Sequence, residues 1–221
     1  MTSASTLGLK SEPSSEPSSQ LNSELNSELN SELNSELSSE LSSGLGVAQE
    51  LQRSSTHLQA HTITSENFAP YGWVAQAQGQ TGRPINGGTS LRLDAVDSVG
   101  ALDLTAAGGA PCLAVFVAQA RDPCGPWTQL ERHRLGTQTF VPLGGARYLM
   151  LVALGEPTPR LNTLAAFWVA GHQAVTLRAG TWHHGLIASE GGDFVVVERA
   201  AAAVDCETFE LSPAVRVVNA S

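Results

Sequence analysis

Two short stretches hold most of the groups in this chain that could move a proton or bind a metal ion. Leu130–Gly145 reads L-E-R-H-R-L-G-T-Q-T-F-V-P-L-G-G, setting Glu131, Arg132, His133 and Arg134 against an alternating pattern that ends in a Pro-Leu-Gly-Gly turn. Fifty residues on, Gly180–Gly185 reads G-T-W-H-H-G and adds His183 and His184. Histidine titrates near neutrality and is also the commonest metal ligand. His133 and His183, brought together by a fold, would therefore offer either acid–base chemistry or coordination. Successive strand residues alternate faces. Read as one strand, the first stretch points His133, Leu135, Thr137 and Thr139 one way, and Arg132, Arg134, Gly136, Gln138 and Phe140 the other. The same rule sends His183 and His184 to opposite sides. The plainer alternatives are a solvated charge run and a structural histidine beside Trp182.

The elements that must position these residues are short and apolar. Ser65–Gly72 reads as a capped turn of helix halted at Pro70. Trp73–Gln76 reads as a strand, and Ile85–Val96 as a turn followed by a strand carrying Arg92 opposite Leu91 and Leu93. Cys112–Ala118 and Arg147–Leu154 are nearly continuous apolar runs, the pattern of buried strands. Leu164–Val169, Ala174–Leu177 and Phe194–Glu198 follow, and Cys206–Phe209 opens a C-terminal tail. Short strands separated by Gly/Pro turns, with little helical periodicity, indicate an all-β sandwich or barrel of the jelly-roll kind. In such a fold a small-molecule site lies in the barrel interior or mouth.

Residues 1–55 differ in kind from 56–221. They contain no aromatic residue, and eight glutamates against Lys10 and Arg53 give them six of the chain's nine net negative charges. Leucines recur every fourth position from Leu21 to Leu45. Four residues at about 100° each overshoot a turn by roughly 40°, so these leucines wind around a helix and form no stripe. The expectation is a low-complexity, disordered tail with at most transient helix, followed by one domain over 56–221. A single lysine in the whole chain and a mildly acidic domain argue against nucleic acid or anionic lipid as partners. Three scattered cysteines, no secretory or transit pattern and no apolar run of about 20 residues predict a reduced, cytoplasmic, soluble protein.

Five blocks in order carry a more specific signal: I-N-x-G-x-x-x-R (Ile85 to Arg92), L-E-R-H-x-L-G-T-Q-x-F-x-P (Leu130 to Pro142), V-A-L-G (Val152 to Gly155), G-T-W-H-H (Gly180 to His184) and D-F-x-x-x-E-R (Asp193 to Arg199). This order resembles the ureidoglycolate lyase family over about residues 60–210. The resemblance implies a cupin-like double-stranded β-helix, a homodimer, and elimination of urea from (S)-ureidoglycolate to give glyoxylate, a late step of allantoin and purine catabolism. It also implies a divalent metal, nickel in that family. The chain departs from the family pattern at Thr176 and Leu177, where Asn and Tyr are usual, and at Gly185, where Pro is usual.

On this resemblance His133 and His183 are the acid–base pair, with the assignment between them open and His184 as alternate. Glu131 orients a histidine or the ureido group, or pairs with Arg132 or Arg134. Arg92 grips the carboxylate bidentately, Asn86 or the adjacent backbone N–H groups bind the ureido carbonyl, and Gln138 is a further substrate contact. A metal, if used, takes His133, His183 and Gln138; a metal-free acid–base mechanism is the other course. The competing reading is a non-catalytic cupin that binds a small carboxylate.

Overall fold

The computed structural model describes residues 29–41, 56–95 and 102–219. The chain divides into two compact units, Met1–Arg53 and Ser54–Ser221. In the first, residues 29–41 form a helix in which every residue, Leu29, Leu33, Leu37 and Leu41 included, is exposed. The remainder of the expected disordered tail lies outside the described residues. Among the described residues no helix is long and apolar enough to cross a membrane.

The second unit is built from strands. In chain order they are β1 (Thr56–Thr62), β2 (Gly72–Ala75), β3 (Arg83–Ile85), β4 (Ser90–Arg92), β5 (Ala110–Ala118), β6 (Trp127–Arg132), β7 (Gln138–Leu143), β8 (Gly145–Ala153), β9 (Ala165–Gly171), β10 (Ala174–Leu177), β11 (Trp182–His183), β12 (Ile187–Ala188), β13 (Gly192–Ala200) and β14 (Glu207–Val218). A single turn of helix, α1 (Ser65–Phe68), follows β1. Its capping box is complete: Thr64 Oγ1 accepts from the Asn67 N–H at 3.2 Å, and Asn67 Oδ1 accepts from the Thr64 N–H at 2.8 Å.

Seven strands form one sheet in the order β11-β6-β14-β1-β9-β8-β12, and β11 also pairs with β8, which closes the sheet on itself. A five-stranded sheet, β2-β10-β7-β13-β5, packs on it, and β3–β4 stands as a separate hairpin. This is the all-β barrel the sequence predicts. The layout explains the apolar run of β8. Tyr148, Met150 and Val152 face the core shared with Phe140, Val175 and Phe194, whereas Leu149, Leu151 and Ala153 face a second core with Leu130, Trp182 and Val215. A strand buried on both faces has no solvent side on which to place polar residues.

Three expectations are corrected. The stretch from Leu130 to Gly145 is not one strand: β6 ends at Arg132 in the large sheet and β7 begins at Gln138 in the small one. The intervening turn is pinned by Asp205, whose carboxylate accepts the Arg134 and Leu135 N–H groups at 3.0 and 2.7 Å. Cys112–Ala118 lies in β5, but it is an edge strand with Leu113, Val115 and Val117 71%, 55% and 78% exposed, not a buried one. The C-terminal tail is a twelve-residue strand, β14, paired with both β6 and β1.

Arg132 is the largest fully buried side chain, 1% exposed. Its Nε donates to Glu207 at 2.8 Å, its Nη1 meets Glu156 at 2.8 Å, and its guanidinium lies 4.3 Å over the Trp182 ring. One side chain thus ties β6, β14, β11 and the turn after β8. Arg132→Ala should lower unfolding stability by about 2–4 kcal/mol, since it removes a buried stem, a cation–π contact and the charge-assisted bonds to Glu207 and Glu156. Urea denaturation read by tryptophan fluorescence measures the loss.

Candidate active site

His133 follows the last residue of β6, and His183 is the second residue of β11, which pairs with β6 in a register that sets His183 opposite Glu131. Strand pairing therefore brings the two distant sequence clusters together. The imidazole centroids of His133 and His183 are 5.5 Å apart. Glu131 Oε1 lies 3.6 Å from His183 Nε2, and one ligand atom from each of Glu131, His133 and His183 falls within 4.8 Å of the other two.

Both imidazoles are oriented from behind. The Nδ1–H of His183 donates to the Thr181 carbonyl at 3.0 Å, and the Nδ1–H of His133 donates to the Asp205 carbonyl. In these tautomers each Nε2 carries a lone pair. His183 is 1% exposed, and burial pushes its pKa down to about 4, so it is neutral at pH 7. Its Nε2 has no hydrogen-bond partner. Two acceptors, a neutral Nε2 and a carboxylate oxygen, face each other with no donor between them. Such an arrangement costs free energy unless a cation or a proton donor enters.

The donor set fits a divalent first-row metal: two imidazoles and one carboxylate, each histidine braced through its other nitrogen by a carbonyl. Glu131 is the carboxylate that converges with the two histidines. Gln138 Nε2 instead donates to Glu198 at 2.8 Å, and its buried Oε1 is unpartnered.

A cavity of about 240 Å³ opens beside this cluster, lined by His133, Gln138, Glu198, Arg199, Asp205 and Cys206, among others. His133 is shared by the cluster and the cavity. Cys206 Sγ stands 3.8 Å from Glu131 Oε2. Arg199 crosses Gly136 so closely that a Cβ there would lie 2.6 Å from the Arg199 Cβ, which accounts for glycine in the L-G-T-Q block. Its Nε donates to the Ala106 carbonyl at 2.7 Å and its Nη2 to Ala107 at 3.4 Å.

The remaining sequence candidates lie elsewhere. His184 turns away from His183, its ring 4.6 Å from that of Trp127 and its Nδ1 2.7 Å from the Gly185 carbonyl. Arg92 sits on the β3–β4 hairpin, paired with Asp94 at 2.7 Å, both 56% exposed. Asn86 is exposed in the hairpin turn at φ 54°. Neither lines the cavity that His133 lines. Glu131 does not pair with Arg132, whose guanidinium is taken by Glu207 and Glu156. The departures from the family pattern are accommodated: Thr176 Oγ1 bonds Thr139 Oγ1 at 2.9 Å, and Leu177 is buried in the core. A Cβ on Gly185 would meet Glu131 Oε1 at 3.5 Å, an ordinary contact. Sequence pattern alone does not mark Glu198, Arg199, Asp205 or Cys206, all of which line the cavity. The D-F-x-x-x-E-R block holds the first two, but its spacing does not reveal that the end of β13 shares a cavity with His133.

The buried neutral His183 has a pH signature. Its folded pKa lies below the ordinary 6.5, so the unfolded chain binds the proton more tightly. The sign follows: stability is held above pH 6.5 and lost as pH falls from there towards about 4, by an amount on the order of 3 kcal/mol. Denaturant midpoints of chelator-treated protein across that range should show the loss, and His183→Gln should flatten the curve.

A family model described as ureidoglycolate lyase matches residues 55–218. Ureidoglycolate lyase of Burkholderia cepacia is 38% identical over 157 residues, covering 70% of this chain and 86% of that protein. The protein of the same name from Azotobacter vinelandii is 33% identical over 151 residues, covering 68% and 89%. That of Escherichia coli K12 is 34% identical over 145 residues, covering 64% and 87%. With the Glu131–His133–His183 cluster lying inside the matched region, this chain belongs to the ureidoglycolate lyase family.

Proposed function

We propose that this protein is a carbon–nitrogen lyase that eliminates urea from (S)-ureidoglycolate to give glyoxylate, in purine nitrogen catabolism through allantoin. Family membership supports the reaction class. The observation that carries the site is the convergence of Glu131, His133 and His183 beside a cavity sized for a small acid.

Ureidoglycolate is a carbinolamine, with a hydroxyl, a ureido nitrogen and a carboxylate on one carbon. As it cleaves, the hydroxyl proton leaves, the C–N electron pair goes to nitrogen, the C=O bond forms, and nitrogen gains a proton. The net change is one proton moved from oxygen to nitrogen. A divalent metal held by Glu131, His133 and His183, nickel by the family's habit, would polarise the hydroxyl and stabilise the alkoxide. His183, kept neutral by burial, offers its Nε2 lone pair to that metal and is not the acid. Glu198, held by Gln138 at 2.8 Å, faces the same cavity and is the group to carry the proton from hydroxyl to departing nitrogen. Arg92 and Asn86 are the partners proposed for the carboxylate and ureido carbonyl.

The same reading includes a homodimer. Leu113, Val115 and Val117 on the outer face of β5 stand beside Val197, Val195 and Asp193 of β13, with Thr139, Val141 and Leu143 of β7 beyond, a face apolar except for Asp193 and Thr139. An apolar sheet face of this kind is the mark of an interaction surface. The three cysteines are free, which fits a reducing cytoplasm. The unit Ser54–Ser221 carries the whole site, so deletion of residues 1–53 should leave kcat unchanged.

Purified protein given racemic ureidoglycolate should release urea from one enantiomer well above the spontaneous rate; release at the background rate defeats the proposal. His133→Ala and Glu198→Gln should each lower kcat by about 10²-fold or more with native circular dichroism. Chelation should abolish turnover and added nickel restore it. Full activity after exhaustive chelation would remove the metal from the mechanism.

A further inference from the structure

The backbone at Cys206 is pinned on both sides. Before it, the Asp205 carboxylate accepts the Arg134 and Leu135 N–H groups at 3.0 and 2.7 Å. After it, the Glu207 carboxylate accepts the Arg132 Nε–H at 2.8 Å. Cys206 is thereby tied to β6 and to the turn that follows His133. Strand register decides where its thiol points. β14 sets Thr208 opposite Glu131 and Glu207 opposite Arg132. Side chains alternate along a strand, so Arg132 and Glu207 meet on one face while Glu131, Thr208 and Cys206 share the other. Cys206 is the diagonal neighbour of Glu131, its Sγ lies 3.8 Å from Glu131 Oε2, and it lines the same cavity as His133.

The two oxygens of Glu131 have different surroundings. Oε1 lies 3.6 Å from the buried His183 Nε2, which has no hydrogen-bond partner. Oε2 meets the Cys206 thiol, which among the described residues is the only hydrogen-bond donor to this carboxylate. The adjacent cation is not available to it, because Arg132 is turned to the opposite face and held by Glu207 and Glu156. A thiol's pKa lies well above that of a carboxylate, so the proton between them stays on sulfur and the bond runs from S–H to oxygen. A carboxylate that grips a cation through one oxygen is aimed by whatever holds the other. Losing such an outer partner typically costs about 10- to 100-fold in metal affinity.

We propose that Cys206 is a positioning residue for the metal centre: its S–H holds Glu131 Oε2 and so keeps Oε1 turned toward the point where His133 and His183 converge. In this role the sulfur touches neither metal nor substrate. The inference rests on the metal site of the proposed function and not on the reaction assigned to it.

Calorimetric titration of the full-length chain with nickel tests it. Cys206 is exposed, so its replacement disturbs no packed core. Cys206→Val fills the thiol's space without a donor and keeps out the water that would replace one after Cys206→Ala. It should weaken nickel binding by about 10-fold, whereas Cys206→Ser, which retains a donor, should stay within about 3-fold of wild type. Wild-type affinity in the valine variant would overturn the proposal, and so would equal losses in the valine and serine variants. Cobalt gives a spectroscopic readout on the unsubstituted chain. Sulfur bound to the metal produces an intense near-ultraviolet charge-transfer band, and sulfur that only donates a hydrogen bond produces none. A band that Cys206→Ser abolishes would make the thiol a ligand and overturn the positioning role. Protein that binds neither nickel nor cobalt would overturn it too, while urea release would still decide the lyase reading. The expected valine and serine pattern in a protein that releases no urea would refute the lyase reading and leave the role of Cys206 standing.

Discussion

The Arg132 guanidinium holds this site together. A buried cation with a single partner would be a liability, because desolvation is costly and one carboxylate repays only part of it. Here two carboxylates, a carbonyl and an aromatic face surround it, and both Glu156 and Glu207 keep contact with solvent. The consequence is geometric. Arg132 directly precedes His133, and the Trp182 ring beneath it directly precedes His183. Fixing the arginine on the tryptophan fixes the backbone on which both imidazoles hang, and Glu207 anchors the strand that follows Asp205 and Cys206.

Beside that clamp, the two imidazoles are held by backbone. Carbonyls of Thr181 and Asp205 choose the tautomers of His183 and His133. The carboxylate of Asp205 pins the turn after His133 through two N–H groups, so one residue orients the histidine and shapes the cavity wall. Burial keeps His183 neutral. The result is a set of acceptors pre-aimed at one point, which lowers the reorganisation needed when a cation or a polarised hydroxyl arrives.

The hairpin and the apolar face of β5 show the opposite character. They are ordered elements that leave Leu91, Leu113 and Val117 exposed. The four-residue leucine repeat is different again, since its winding leaves no apolar stripe to bury. Exposed apolar side chains therefore carry distinct meanings at the two ends of this protein: a sheet face at β5, a solvated helix at residues 29–41.

The sequence by itself determined the all-β class, because short apolar runs are broken by Gly and Pro with little helical periodicity, and through two distinctive blocks it marked His133, His183, His184, Glu131 and Gln138 as candidates, of which the structure brings Glu131, His133 and His183 together. It also located the capped turn at Ser65 and the doubly buried strand β8. Only the tertiary structure decided which neighbours completed the cluster. Gln138 and Glu131 are both polar residues near His133 in sequence, but the chain breaks strand after Arg132, sending Gln138 to Glu198 in the other sheet and leaving Glu131 opposite His183. The apolar run at Leu113–Val117 reads as a core strand because local pattern does not record whether a strand lies at a sheet's edge. Arg92 and Asn86 carry a family motif yet stand apart from the cavity, since a motif fixes residue type and order while pairing between distant strands fixes place. That pairing is set by long-range register, and no window of sequence contains it.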